Sequence, residues 1–145
     1  MSLFPRSGFL YSLLLLFSAL ALVSCGASKT AQCQKLILVT QSLAQESEKY
    51  RQSTDPKEVL GVAERFEEAS QKLEGFKLAD PQLSQFQSQL AAIYQGNGET
   101  TRTLIAALDS KDILTVRLAQ DKVKKIGQQE RQVITEMNRY CQTEP

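Results

Sequence analysis

From residue 28 onward, apolar side chains recur at alternating intervals of three and four, and no run alternates with the period of two that a half-buried strand requires. The spacing predicts helices only. A first helix over about Ser28–Gln52 carries Cys33, Leu36, Thr40, Leu43, Ser47 and Tyr50 on one face, widened by Ile37 and Ala44. Asp55-Pro56 follows, a capping carboxylate before a proline suited to the first helical position, with Glu58 placed for a capping box. A second helix then runs to about Phe76 with Val59, Val62, Phe66, Ala69, Leu73 and Phe76 in the same rhythm. Asp80-Pro81 repeats the start signal for a third helix bearing Leu83, Phe86, Leu90, Ile93 and Tyr94. Gly96-Asn97-Gly98 could break it. The apolar face nevertheless keeps its phase from Phe86 to Leu104 and from Leu90 to Leu108, each pair five whole turns apart, so one helix continuous through Gly98 to Leu108 is expected. After the polar link Asp109-Ser110-Lys111-Asp112, the longest stripe (Val116, Ala119, Val123, Ile126, Val133, Met137, Tyr140) defines a fourth helix ending at Cys141. Glu130 alone interrupts it, expected at the stripe's edge or paired with Arg102 or Arg131.

Four helices joined by connections this short must run antiparallel to their neighbours, so the expected fold is all-α, an up-down-up-down four-helix bundle over residues 31–145. In that topology the start of the first helix and the end of the fourth share one pole. Cys33 and Cys141 sit at those two places and are expected to form a disulfide, closing a loop of roughly a hundred residues worth about 4–5 kcal/mol at most by chain entropy. Two reduced, buried thiols are the alternative.

Ahead of the bundle, Arg6 precedes an unbroken apolar stretch from Phe9 to Val23, the layout of an export signal. Its length falls short of the roughly twenty residues needed to span a bilayer. It ends in Leu22-Val23-Ser24-Cys25-Gly26, which resembles the lipobox of bacterial lipoproteins. The resemblance implies removal of residues 1–24, a diacylglycerol on the Cys25 sulfur, an acyl chain on its new amino group, and a short tether over 25–30. The protein would then be anchored on the extracytoplasmic face of the bacterial cell envelope, with the membrane and an envelope protein as partners. Ala19-Leu20-Ala21 also fits ordinary cleavage, which would leave Cys25 a free thiol. Of the three cysteines, lipid capping leaves an even pair, as an oxidising compartment favours.

Composition then narrows the chemistry. The chain has 145 residues, 17 Lys and Arg against 16 Asp and Glu, and neither His nor Trp. Near-zero net charge argues against nucleic acid as a partner. Without His, the Ser-His-Asp, Cys-His and di-iron Glu-x-x-His arrangements are all excluded. No phosphate-cradling glycine loop or nucleophile elbow occurs. No catalytic residue, metal site or cofactor is therefore expected, and the reading is a noncatalytic binding or assembly subunit. Glu46 and Glu48, the Glu64, Glu67 and Glu68 group, and the Lys122, Lys124 and Lys125 run read as solvated faces, and Tyr50, Tyr94 and Tyr140 as core-edge aromatics with hydroxyls in water.

Two places could bind a partner. Because the third and fourth helices exceed the first two, their connecting tip should project by roughly 10 Å at the pole away from the tether. It would carry Leu104, Ile105, Leu108, Ile113, Leu114 and Val116, rimmed by Arg102 and Arg117, an apolar surface suited to protein docking. The alternative is a carrier whose core opens around a small apolar ligand, lined by residues such as Phe66, Phe86, Ile93 and Met137.

Overall fold

The computed structural model describes residues 27–48, 50, 53 and 55–143. The export segment and the lipobox through Gly26 lie outside them. The described chain is all-α: α1 (Lys29–Glu48), α2 (Pro56–Glu74), α3 (Pro81–Asp109) and α4 (Ile113–Gln142). No helix among the described residues is long and apolar enough to cross a membrane.

The helix starts follow the capping chemistry in the sequence. Asp55 accepts the Lys57 amide at 2.9 Å and Asp80 accepts the Leu83 amide at 2.9 Å, each immediately ahead of a proline. Asp112 accepts both the amide and the hydroxyl of Thr115. The turn before it is closed by Lys111 in the left-handed region, φ 57°. α1 ends at Glu48 rather than Gln52. Beyond it the chain turns by i to i+3 bonds, from the Tyr50 amide to the Ser47 carbonyl and from Ser53 to Tyr50, on its way to the Asp55 cap.

Neighbouring helices run antiparallel and pack in sequence order. Ser70 on α2 donates to the Ala91 carbonyl of α3, and Gln87 on α3 donates to the Leu73 and Phe76 carbonyls at the end of α2. α3 is continuous through Gly98, as its phase implied, and the reason glycine is there is spatial. A Cβ at Gly98 would sit 2.7 Å from the Glu67 Cγ and 3.1 Å from the Ala63 carbonyl oxygen. α2 and α3 approach too closely at this crossing for a larger residue.

The core occupies the end of the bundle that holds the cysteines. Leu36, Leu73, Leu83, Leu90, Tyr94 and Met137 are all fully buried there, with Phe66, Phe76 and Tyr140 packed at the margin. Cys33 and Cys141 form a disulfide with a Cα–Cα distance of 5.9 Å, linking α1 to α4. Polar groups reinforce that pole. The buried Gln32 amide oxygen accepts from the Ala79 and Asp80 amides in the α2–α3 turn, while its nitrogen donates to the Ala27 carbonyl. Lys29 donates to the Thr143 carbonyl and hydroxyl and lies 4.0 Å over the Tyr140 ring, a cation at the carboxyl end of α4. The Tyr140 hydroxyl donates to the Asp80 carboxylate at 2.8 Å.

Candidate functional site

Three surfaces stand out, at the two poles and on one flank. At the clip pole every polar contact just described is internal to the bundle. The cysteines are bonded to each other, so this pole fixes geometry rather than supplying a reactive group.

At the far pole, the α3–α4 hairpin ends in aliphatic side chains. Leu108, Ile113, Leu114 and Leu118 are between 53% and 69% exposed. The sequence pattern included the first three; Leu118 lies off the α4 stripe and left no periodic signal. The surface is smaller than expected. Gly98 lies against Ala63, seven residues into α2, so α2 accompanies α3 to about Ile105 and leaves roughly one turn standing clear instead of 10 Å. Leu104 and Ile105 are half-buried and Val116 is buried. Arg102 is not a free rim cation, because its guanidinium holds the Glu67 carboxylate in two bonds of 2.7 and 2.8 Å across α2 and α3. That pairing holds Glu67 below the usual carboxylate range. Arg117 remains exposed beside the tip.

On the flank, beyond the end of α1, α2 and α4 leave an open groove of about 400 Å³. Val59, Val62 and Phe66 of α2, Leu104 of α3 and Val123 of α4 form its apolar wall. Ser47, Asn97, Thr101 and Glu130 contribute polar groups to the same lining. Ser47 is notable because its hydroxyl oxygen is sealed from solvent and has no hydrogen-bond partner. Beneath the groove Tyr94 packs against Phe66 with ring centroids 5.8 Å apart, and is fully buried rather than reaching water as expected. Its hydroxyl is likewise shielded, with no partner at full hydrogen-bonding geometry. Burial, and next the nearby Glu130 charge, push the Tyr94 phenol far above its ordinary pKa. Glu130 is thus turned toward Tyr94 and the groove, at the half-buried edge of the α4 stripe, and Arg102 lies with Glu67 instead.

The ligand-carrying core expected around Phe66, Phe86, Ile93 and Met137 does not exist as one cavity. Phe86 and Met137 are packed solid in the core, and Ile93 faces a separate shallow groove between α3 and α4 with Ile126 and Val133. Only Phe66 borders the flank groove. Among the described residues no group of three or more His, Cys, Asp or Glu is placed to hold a metal. Glu46, Glu67 and Glu68 are tied into ion pairs, Glu67 with Arg102, and Arg65 bridging Glu46 at 3.7 Å and Glu68 at 2.7 Å. Comparison with protein-family models, curated proteins and solved structures finds no match.

Proposed function

We propose that the chain is a lipid-anchored, noncatalytic docking subunit of the bacterial cell envelope, held to the extracytoplasmic face of a membrane through Cys25. It presents the aliphatic end of the α3–α4 hairpin to an envelope protein. The observation that carries this reading is the clustering of Leu108, Ile113, Leu114 and Leu118 at the tip, each more than half exposed, whereas Leu38, of comparable exposure, stands apart from them on α1. Placement supports it. Ala27, two residues past Cys25, is hydrogen-bonded to Gln32 at the clip pole. The 30 residues of α4 span about 45 Å, so a lipid at Cys25 puts the tip far from the bilayer surface that holds it.

Two measurements test the reading. Cys25→Ser should move the protein from the membrane to the soluble fraction; membrane retention would refute the anchor. A photocrosslinker at position 114 should trap one discrete envelope protein in intact cells, whereas the same group at Leu38, exposed on α1, should not. Adding Leu108→Ser and Ile113→Ser should abolish that crosslink with little change in melting temperature. Loss of the fold together with the crosslink would reassign these side chains to packing.

A further inference from the structure

The outward face of α4 has the layout of a coiled-coil strand without its partner. Leu114, Leu118, Asp121, Lys125, Gln128 and Gln132 follow one another at alternating steps of four and three, and all of them are exposed. Along one edge of this stripe stand Arg117, Lys124 and Arg131, each two turns or about 10 Å from the next, and Lys122 stands on the other edge. These are the flanking places at which helices packed side by side match their charges. With Lys111 and Lys125 they make an exposed cationic surface, and among the described residues none of these side chains forms an ion pair. The carboxylates of the same stretch do little to offset it. Asp112 is taken up as the cap of α4 and Glu130 is turned toward Tyr94, which leaves Asp121. The α2 side is the reverse, with Glu46, Glu67 and Glu68 matched by Arg65 and Arg102.

We infer that the partner docked at the tip continues along α4 as an acidic amphipathic helix, an inference that rests on the docking role proposed for the tip and names the chemistry of what docks there. The helix packs an aliphatic end on Leu114 and Leu118, beside Leu108 and Ile113, and its carboxylates, spaced by seven, meet Arg117, Lys124 and Arg131. A second copy of this chain is a poor occupant in either direction. In a parallel pair Arg117 would face Lys122 of the second copy, and in an antiparallel pair the edge bearing Arg117, Lys124 and Arg131 would face itself, cation against cation. A membrane surface is disfavoured by the stripe itself. A helix lying in a bilayer interface carries apolar side chains along its whole buried face, and beyond Leu118 this one offers Asp121, Lys125, Gln128 and Gln132.

The test adds a photocrosslinker at position 128, about 20 Å along α4 from position 114, in the full chain in intact cells. Both positions should trap the same envelope protein through one segment of it, with the two adducts roughly fourteen residues apart and Glu or Asp prominent between them. Exposed charge pairs are weak singly, so the whole edge is reversed at once. Arg117→Glu with Lys124→Glu and Arg131→Glu should abolish the crosslink at 128 while the melting temperature stays that of the unaltered chain. A synthetic peptide of the trapped segment should bind the purified full chain about tenfold or more weakly after this reversal, and weaken similarly between about 50 and about 300 mM salt. Exchanging the acidic residues of the peptide for Lys should restore binding to the reversed chain, a rescue that a merely structural role of these side chains would not produce. Trapping at 114 alone, a trapped segment without net negative charge, adducts on lipid at 128, or binding indifferent to the reversal would each overturn the acidic helix and leave docking at the tip standing. No protein trapped at either position would refute both.

Discussion

The two ends of this bundle are built from the same helices yet differ in how completely they close. Near the disulfide, Leu36, Leu73, Leu83, Leu90 and Met137 are fully buried, and the buried Gln32 and Gln87 side chains find main-chain partners. Toward the hairpin, Val59, Val62, Phe66 and Leu104 are only half-buried, Val123 is exposed, and the Ser47 hydroxyl lacks a partner. The cause is a matter of length. α1 stops after 20 residues, so past Glu48 three helices must close a seam that four close elsewhere. The closed end is where stability concentrates and the open end is where a ligand or partner can be admitted at little structural cost.

Breaking the clip is the harshest way to test this contrast. Cys33→Ala with Cys141→Ala removes a crosslink between residues 108 apart and should cost about 4 kcal/mol, read as a lower denaturation midpoint. α1 should be the first helix to lose protection, because the disulfide is its covalent hold on α4. A paired truncation sharpens the comparison. Leu90→Ala in the closed end should cost about 3 kcal/mol by leaving a cavity, whereas Val62→Ala on the groove wall should cost under about 1 kcal/mol because its side chain already borders solvent. Equal costs would erase the distinction.

Gly98→Ala comes next. Alanine favours helix by about 1 kcal/mol, but its Cβ would meet the Ala63 carbonyl and Glu67, and overpacking of this kind costs about 1–3 kcal/mol. The main-chain oxygen cannot swing away, so a net loss of about 1 kcal/mol is expected in urea unfolding, with weakening of the Arg102–Glu67 pair. The smallest effect is on acid stability. The Leu83 amide, then the Tyr140 hydroxyl and the Lys29 charge, hold the Asp80 carboxyl below its ordinary value. A folded-state pKa below the unfolded value of about 3.9 means that Asp80 stabilises the fold above that pH and loses its contribution as pH falls through the folded pKa. Asp80→Asn should therefore flatten the stability profile below about pH 4 and leave its shape near neutrality unchanged.

Much of the fold was legible because it rests on local chemistry. Asp55-Pro56 and Asp80-Pro81 announce their helices by capping alone, and the phase kept from Phe86 to Leu104 carried α3 through Gly98. The cysteine pairing followed from topology, which brings the start of α1 beside the end of α4. What the pattern concealed depends on where helices stop and what faces them. Val59, Val62 and Val123 have the same spacing as buried stripe residues; nothing in that spacing says that α1 is too short to cover them. Tyr94 reads as an edge aromatic, since a phenol sealed without a good partner is unfavourable and leaves no sequence mark. Arg102 reads as a rim cation until α2 brings Glu67 against it, 35 residues away in sequence. The lipid anchor, by contrast, is proposed from the five residues Leu22 to Gly26 alone.

Amide hydrogen exchange on the oxidised full chain tests the central contrast most directly. Exchange should be slowest at Leu36, Leu73, Leu90 and Met137, with opening at least a hundredfold more frequent at Val59, Val62 and Val123. Uniform protection along α2 and α4, from the groove through to the disulfide, would contradict it.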